Sequence, residues 1–404
     1  MPTSNRTPVP SDLDRALAPA IQARHAAHLA RSRLLLDSAQ GPEPLLGGRR
    51  VLSFASNDYL GLASHPDVVA AFRHGATELG VGSGASHLLT GHSRAHRCLE
   101  EALAEFTGRP RALLFSTGYM ANLAVVGALL GRHDAAFEDR YNHASLLDGA
   151  ILSRARLHRF PHADPDALAR QLAGSAARRK LVLTDGVFSM DGDLAPLPAL
   201  CVRARQAGAW VAVDDAHGLG VVGPGGGGSL EAHGLGVRDV PVLVGTLGKA
   251  FGTFGAFVAG TDTLVETLIQ FARPYVYTTA TPPAVAAATL ASLALVRDGE
   301  ARERLWRNID RFRRGAAQLA LPVGSSGSAL HAVMLGEVGR ALEVSRRLEG
   351  LGILVPAIRP PTVPPGTARL RISLSAAHTP AHVDRLLEGL SQTLGSGKGP
   401  PTHP

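Results

Sequence analysis

One lysine in this sequence occupies a position suited to covalent amine chemistry. The chain has 404 residues, and among its 41 lysines and arginines only Lys180, Lys249 and Lys398 are lysine. Lys249 lies in VGTLGKAFGTFG, after an apolar run typical of a buried strand and among glycines that leave room for its flexible stem. A lysine can form a Schiff base with a carbonyl compound, which arginine cannot do. A lone lysine in such a stretch is more often a surface lysine in a turn, but the neighbouring motifs reverse that preference.

Polar motifs follow several other apolar runs of the chain. Ser116-Thr117-Gly118-Tyr119 opens a predicted helix, whose free backbone N–H groups and hydroxyls suit a phosphate, although many helices begin with such residues. In Asn142-His143-Ala144-Ser145, His143 is either a helix cap or a flat ring that can stack on a planar cofactor. The motif DGVFSMDG at 185–192 follows another strand, and its simplest interpretation is an ordinary polar loop.

An acidic motif, VDDAHG at 213–218, has two alternative interpretations. Its two acids and one histidine could bind a metal, but no second cluster with metal spacing such as HExxH occurs, so we predict no metal site. A carboxylate there can instead hold a heterocyclic nitrogen in its protonated form. A phosphate site, a stacking ring, a carboxylate and a lysine on successive strand ends match pyridoxal 5′-phosphate (PLP).

These motifs lie on a regular alternation of predicted strands and helices. The predicted strands are residues 112–115, 135–138, 181–184, 210–214 and 242–245. Continuous apolar strands in β–helix–β order predict an α/β fold with a mostly parallel sheet covered on both faces. Such sheets bind ligands at the carboxyl ends of their strands. A further strand at 256–259 is expected to be the antiparallel one.

The remaining pattern predicts four segments. They are an N-terminal helical segment at 1–57, a large PLP-binding domain at 58–293, a smaller α+β C-terminal domain at 294–394 and a disordered tail at 395–404. We predict one helix at 13–36 and a long helical stretch at 284–319 that leads into the small domain.

Composition narrows the class of protein. Hydrophobic residues make up 45% and charged residues 19%, as in ordinary globular enzymes. The net charge of +7 allows a nucleic-acid-binding protein, but the arginines are scattered and aromatics are only 5%, so we predict a basic surface that attracts anionic substrates. Cys98 and Cys201 are far apart and predict thiols of a reducing compartment. Without a signal peptide or a spanning stretch, we expect a cytoplasmic protein with no membrane partner.

From about residue 11 to 394 the chain resembles the α-oxoamine synthase family of fold-type I PLP enzymes. The motifs that carry the resemblance are SNDYLGLA (56–63), GSGAS (82–86), NHASLLDG (142–149), DGVFSMDGD (185–193), VDDAHGLG (213–220), GTLGKAFG (245–252) and ARLRISLSAAHT (368–379). One departure is His87, where many relatives have arginine. The resemblance implies a fold-type I PLP-dependent transferase, with a mostly parallel large domain and a small α+β C-terminal domain.

The resemblance also implies roles for individual residues. Lys249 holds PLP and removes the Cα proton of the amino acid, His143 stacks on the ring, and Asp214 keeps the pyridine nitrogen protonated. The other implied cofactor contacts are Ser189 and His217 at the ring, Thr246 with the amides of Gly118 and Tyr119 at the phosphate, and Thr278 and Thr279, which reach the partner's phosphate. The last two imply a homodimer with shared active sites. The implied substrate contacts are Arg371, which holds the carboxylate, and Arg31, Asn57, His143 and Thr362.

The family condenses an amino acid with an acyl thioester and releases CO₂. The stretch at 357–379 resembles the biotin-pathway branch, which joins L-alanine to a pimeloyl thioester on coenzyme A or acyl carrier protein. Siblings that use glycine, such as glycine C-acetyltransferase and 5-aminolevulinate synthase, share the cofactor motifs and remain the alternative. A catalytically dead regulatory subunit and a nucleic-acid-binding protein are the non-enzyme alternatives. Lys249 argues against the former, since such subunits lack the lysine.

Overall fold

The computed structural model describes residues 11–395, so nearly all of the predicted tail at 395–404 lies outside the described residues. The helices are α1 (Asp12–Ala26), α2 (Pro66–Leu79), α3 (Arg94–Phe106), α4 (Gly118–Leu129), α5 (Ala144–Ser153), α6 (Pro165–Ala173), α7 (Leu197–Gln206), α8 (Gly228–Ala232), α9 (Asp262–Phe271), α10 (Arg273–Val276), α11 (Pro283–Asp298), α12 (Glu300–Gln318), α13 (Val338–Gly350) and α14 (Pro380–Leu394). The strands are β1 (Leu45–Leu46), β2 (Arg49–Arg50), β3 (Leu52–Ser53), β4 (Arg111–Phe115), β5 (Ala135–Asp139), β6 (Arg156–Phe160), β7 (Lys180–Asp185), β8 (Trp210–Asp214), β9 (Val242–Thr246), β10 (Ala256–Gly260), β11 (Leu330–Gly336), β12 (Ile353–Leu354), β13 (Ala357–Ile358) and β14 (Ala368–Ser373).

A seven-stranded sheet forms the centre of the protein, in the order β4-β10-β9-β8-β7-β5-β6. The strands from β9 to β6 pair in parallel, and β10 is antiparallel to both of its neighbours. Alternate residues enter different cores: Val182 packs into one, and Leu181 and Leu183 into the other. Since both faces are covered, these strands are apolar throughout, which confirms the predicted sheet and its antiparallel strand.

A second, smaller sheet lies in the C-terminal part of the chain. It has three antiparallel strands in the order β11-β14-β13. Nearby, β12 pairs in parallel with β3, which brings Ile353 opposite Leu52. The N-terminal segment is therefore tied to the C-terminal part of the chain. The limits of the four predicted segments stay a prediction.

Two predicted helices were wrong in extent. The helix expected at 13–36 ends at Ala26, because His28 has a left-handed φ of 56° and the Arg24 carbonyl accepts from two amides beyond the helix. The stretch at 284–319 is two helices, because Gly299 takes a φ of 88° between α11 and α12. Between residues 11 and 395, no helix is long and apolar enough to cross a membrane.

Candidate active site

The predicted motifs meet at the carboxyl ends of the central strands, around a cavity of about 190 Å³. Asp185 ends β7, Asp214 ends β8 and Lys249 follows β9, so strand order alone brings these side chains together. The predicted cofactor residues that line the cavity are Gly118, Tyr119, His143, Ser189, Asp214, His217, Thr246 and Lys249. Their individual roles stay predictions.

Lys249 is the amine of this cavity and belongs to a chain of hydrogen bonds. Its Nζ lies 2.8 Å from His217 Nε2, and His217 Nδ1 lies 2.6 Å from the Tyr59 hydroxyl, which donates to Asn57 Oδ1 at 3.2 Å. Burial lowers the pKa of Lys249 to about 8, against the opposing charges of the nearby carboxylates. Burial and then the Lys249 charge hold the pKa of His217 well below its usual value. Neutral His217 can therefore accept a hydrogen bond from Lys249.

Asp214 is fixed in position by two donors. Asn122 Nδ2 donates to its Oδ2 at 2.6 Å, and the Ala216 amide donates to its Oδ1 at 3.1 Å. Asn122 also donates to Ser145 Oγ at 2.8 Å and is fully buried in α4. The sequence interpretation missed Asn122, although a single asparagine within the apolar helix GYMANLAVVGAL was a signal that could have found it.

His143 combines the two alternatives left open by the sequence. It is the N-cap of α5, where its Nδ1 accepts from the Ser145 amide at 3.3 Å, and its ring lines the cavity. Its own amide donates to Asp185 Oδ1 at 3.3 Å. Burial lowers the pKa of His143, so the ring is neutral and suited to stacking.

The opposite end of the cavity suits an anion. There α4 begins, and the first N–H groups of a helix have no partner within it and attract negative charge. A Cβ on Gly118 would meet no atom within 4 Å, so space is open in front of its amide. Thr246 lines the same cavity, and its Oγ1 donates to the Gly255 carbonyl at 3.2 Å. The Tyr119 hydroxyl contacts Asp148.

Arg371 joins three segments of the chain next to the cavity. It lies on β14 and is 7% exposed. Its Nε donates to the Ser189 carbonyl at 2.6 Å, its Nη2 to Asn57 Oδ1 at 3.1 Å and its Nη1 to Ser373 Oγ at 3.2 Å. These hydrogen bonds fix the plane of the guanidinium beside Lys249 and beside the series of hydrogen bonds that runs from Lys249 through His217 to Tyr59.

A larger cavity of about 490 Å³ begins on the other side of Lys249. Asn57 and Lys249 line it, together with the apolar side chains Leu34, Leu36, Leu46 and Leu354. The Lys249 amine therefore borders two cavities. The smaller cavity holds the predicted cofactor residues, and the larger one has a mixed lining in which Gln40, Ser56 and Asp58 accompany the leucines.

Besides Asn57 and Arg371, four predicted site residues do not line the cofactor cavity. Arg31 Nη2 donates to Thr362 Oγ1 at 3.2 Å, so this pair is together, at a shallow pocket that Arg31 shares with Arg24, Leu29 and Pro361. Thr279 is exposed and pairs with Ser86 in an isolated bridge, next to Thr278. The assignment of both threonines to a partner's cofactor stays a prediction.

His162 is a further residue that the sequence interpretation missed. Its Nδ1 lies 3.0 Å from Asp139 Oδ1 and its Nε2 lies 2.9 Å from Asp193 Oδ2. Burial by itself lowers the pKa of His162, but hydrogen bonds to the two carboxylates outweigh burial and raise the pKa to about 9. Charged His162 thus links the strand end before His143 to the loop that carries Ser189. No short motif surrounds it, so the sequence offered no signal.

Comparison with known proteins agrees with this geometry. Residues 49–390 match the family described as aminotransferase class I and II. A curated 8-amino-7-oxononanoate synthase from Stutzerimonas stutzeri (strain A1501) is 62% identical over 377 residues, 93% of this chain and 96% of its own length.

Two solved structures extend the comparison to the fold. A serine palmitoyltransferase from S. paucimobilis that carries a PLP–myriocin adduct has a TM-score of 0.89 at 33% identity, covering 95% of this chain and 98% of its own. An 8-amino-7-oxononanoate synthase from Francisella tularensis has a TM-score of 0.74 at 33% identity, covering 85% and 98%. The fold class and cofactor expected from the motifs are thereby confirmed.

Proposed function

Because this chain belongs to the class I and II aminotransferase family, in its PLP-dependent α-oxoamine synthase branch, we propose that it condenses L-alanine with a pimeloyl thioester. The products are 8-amino-7-oxononanoate, CO₂ and the free thiol carrier, in the biotin pathway. The observation that carries the proposal is the position of the Lys249 amine, which borders both the cofactor cavity and a larger cavity whose lining includes four leucines. Relatives about 60% identical, named for this reaction, support the choice among siblings.

The cavity residues suit PLP. Lys249 would hold the cofactor covalently, the start of α4 and Thr246 would bind its phosphate, His143 would lie on the ring, and Asp214 would face the pyridine nitrogen. When bound, PLP supplies an electron sink that stabilises negative charge at the Cα of the substrate.

The protein's own residues can accept the proton that leaves the Cα of the substrate. The Lys249 amine, with its pKa lowered to about 8 by burial, has a substantial neutral fraction near neutral pH and can accept this proton. Neutral His217 accepts a hydrogen bond from the charged amine and, as its Nδ1–H tautomer, donates to Tyr59. The lysine thus has a defined orientation in both protonation states.

Arg371 is the proposed anchor for the carboxylate of alanine. A guanidinium binds a carboxylate through a planar fork, and the Ser189 and Asn57 oxygens hold this plane in place. Binding of the carboxylate by this guanidinium does not discriminate alanine from glycine, because both have the same carboxylate. That choice needs a small pocket for one methyl group, which is worth about 1–3 kcal/mol, so measurable activity with glycine is expected.

We expect turnover with L-alanine and pimeloyl-CoA to exceed turnover with glycine and acetyl- or succinyl-CoA. Each methylene group buried against the four leucines of the larger cavity contributes about 0.8 kcal/mol, which favours the longer acyl chain over acetyl. The measurement is release of free thiol and CO₂ for each pair, with Lys249→Ala protein as background. A preference for either glycine pair would assign the chain to a sibling activity. Repeating the assay with pimeloyl-acyl carrier protein identifies the carrier.

We further propose a homodimer with shared active sites. Helix α1 has no buried residue, and its apolar side chains Leu13, Leu17 and Ile21 form an exposed i, i+4, i+8 stripe that a second copy would cover. Thr279 is exposed yet fixed by its pairing with Ser86 and by the bond from the Ala280 amide to the Ala85 carbonyl, as expected of a segment that serves a neighbouring subunit.

Mixing two inactive variants tests the sharing. In Thr279→Glu the new carboxylate repels a phosphate of the partner's cofactor, while Lys249→Ala lacks the amine. Equal mixing after reversible dissociation should restore about a quarter of wild-type activity, because half of the dimers are mixed and each has one intact site. Activity that stays at the level of the separate variants, in a sample shown by light scattering to be mixed dimer, would place Thr279 in its own chain's site.

A further inference from the structure

Three histidines form a cluster outside the active site. His87 and His92 precede α3, and His96 lies in its first turn; one ring nitrogen from each lies within 4.8 Å of the other two. The closest pair is His87 Nδ1 and His92 Nδ1, at 2.9 Å. The sequence predicted no metal site because a spacing of five and then four residues across a turn and a helix matches no familiar motif. The fold brings these three rings together.

The outer nitrogen of one ring has the partner that metal-bound histidines usually have. His96 Nε2 donates to the Thr281 carbonyl at 2.7 Å, which leaves the lone pair on Nδ1. His92 Nε2 lies 3.9 Å from Glu100 Oε2. A backbone carbonyl or a carboxylate behind the ring orients a ligating imidazole and raises its basicity.

Two of the three rings are shielded from solvent, and the third is open to it. His87 and His96 are buried, whereas the His92 side chain is 31% exposed, so the cluster opens to solvent on the His92 side.

We propose that this cluster binds a divalent transition-metal ion of the Zn²⁺ class through one nitrogen of each histidine. Metal–nitrogen bonds of about 2.1 Å in a tetrahedral site place ligand nitrogens about 3.4 Å apart, so the present spacing needs only small side-chain shifts. The ion replaces the proton of the hydrogen bond between His87 and His92. At His96 it takes the place of the Ser93 amide and hydroxyl, which both lie 3.0 Å from His96 Nδ1. A solvent molecule completes the fourth position beside His92.

The site lies directly behind a segment proposed to serve the partner's active site. The Thr281 carbonyl accepts from both His96 and Ser83 Oγ, the latter at 2.5 Å. Two residues earlier, Thr279 pairs with Ser86, next to His87 in the chain. A bound ion therefore fixes the segment that carries the three histidines, residues 87–96, to the segment at 279–281.

Co²⁺ is the probe that tests the site in the PLP-loaded, metal-free enzyme. We expect one ion per chain, with the visible d–d band of a tetrahedral nitrogen site and displacement of Co²⁺ by Zn²⁺. His92→Gln should weaken binding at least about 100-fold, since loss of an outer partner alone costs about 10–100-fold. His92 is partly exposed, so its replacement is expected to leave the fold intact.

Two variants separate this site from other metal-binding groups. His233→Gln removes an exposed histidine elsewhere, and Cys98→Ser removes an exposed thiol near the cluster. Both should bind Co²⁺ like the wild type. Equal binding by wild type and His92→Gln would overturn the proposal, as would a sulfur charge-transfer band that Cys98→Ser abolishes. No Co²⁺ binding at micromolar concentrations would show instead that the cluster is held by hydrogen bonds alone.

Discussion

Lys249→Ala is expected to abolish covalent PLP binding. It should also reduce turnover by at least about 10²–10⁴-fold, which is the contribution of a positioned general base. No other described residue places an amine in the cofactor cavity. Borohydride reduction of the PLP-loaded wild type, followed by peptide mapping, should label Lys249. Because burial lowers the pKa of Lys249 to about 8, its neutral, reactive fraction grows as pH rises through 8, and the rate of PLP uptake should rise with it.

Lys180→Ala is the matched control for this experiment. Lys180 opens β7, at the end of the sheet opposite the cavity, and its Nζ donates to the Leu172 carbonyl at 3.3 Å. Its replacement should leave both PLP binding and turnover close to wild type. Label on Lys180 or Lys398 with none on Lys249 would refute the assignment.

The strands that carry the site could be predicted because each one is recognisable from a short stretch of sequence. Each central strand is a continuous apolar run, and a parallel sheet places the carboxyl ends of such strands at one edge. Strand β6 was not predicted, because it lacks such an apolar run. It forms the edge of the sheet and pairs with β5 alone, so its sequence RLHRF keeps charged side chains and lacks an apolar run.

The residues that orient the predicted groups could not be found this way. Asn122 reaches Asp214 from 92 residues away, and Tyr59 reaches His217 from 158 residues away. Neither contact follows from periodicity or from a strand end, since each depends on the packing of a helix or loop against the sheet. The local pattern also overextended α1, because a backbone turn at His28 leaves no mark in the spacing of apolar residues.

Asp214→Asn is expected to keep PLP bound and to slow loss of the Cα proton by about 10²-fold or more, or about 2.7 kcal/mol. A neutral amide no longer favours the protonated pyridine nitrogen, which weakens the electron sink. The fold should tolerate the change. Asn122 Oδ1 is buried and has no hydrogen-bond partner, so rotation of the Asn122 amide lets this oxygen accept from the new side chain. The measurement is exchange of the L-alanine Cα proton with solvent deuterium.

The neighbouring acid separates an effect on the cofactor from general damage to the strand end. Asp215 is fully buried and accepts from the Ser229 amide at 2.6 Å, away from the cavity lining. Burial raises the pKa of Asp215 to about 7, so this group is already partly protonated at neutral pH. Asp215→Asn should therefore do no more than lower the midpoint of thermal unfolding. The rate of Cα-proton exchange per folded, PLP-loaded chain should stay unchanged. Exchange that slows equally in both variants, or in neither, would remove Asp214 from the proton-transfer step.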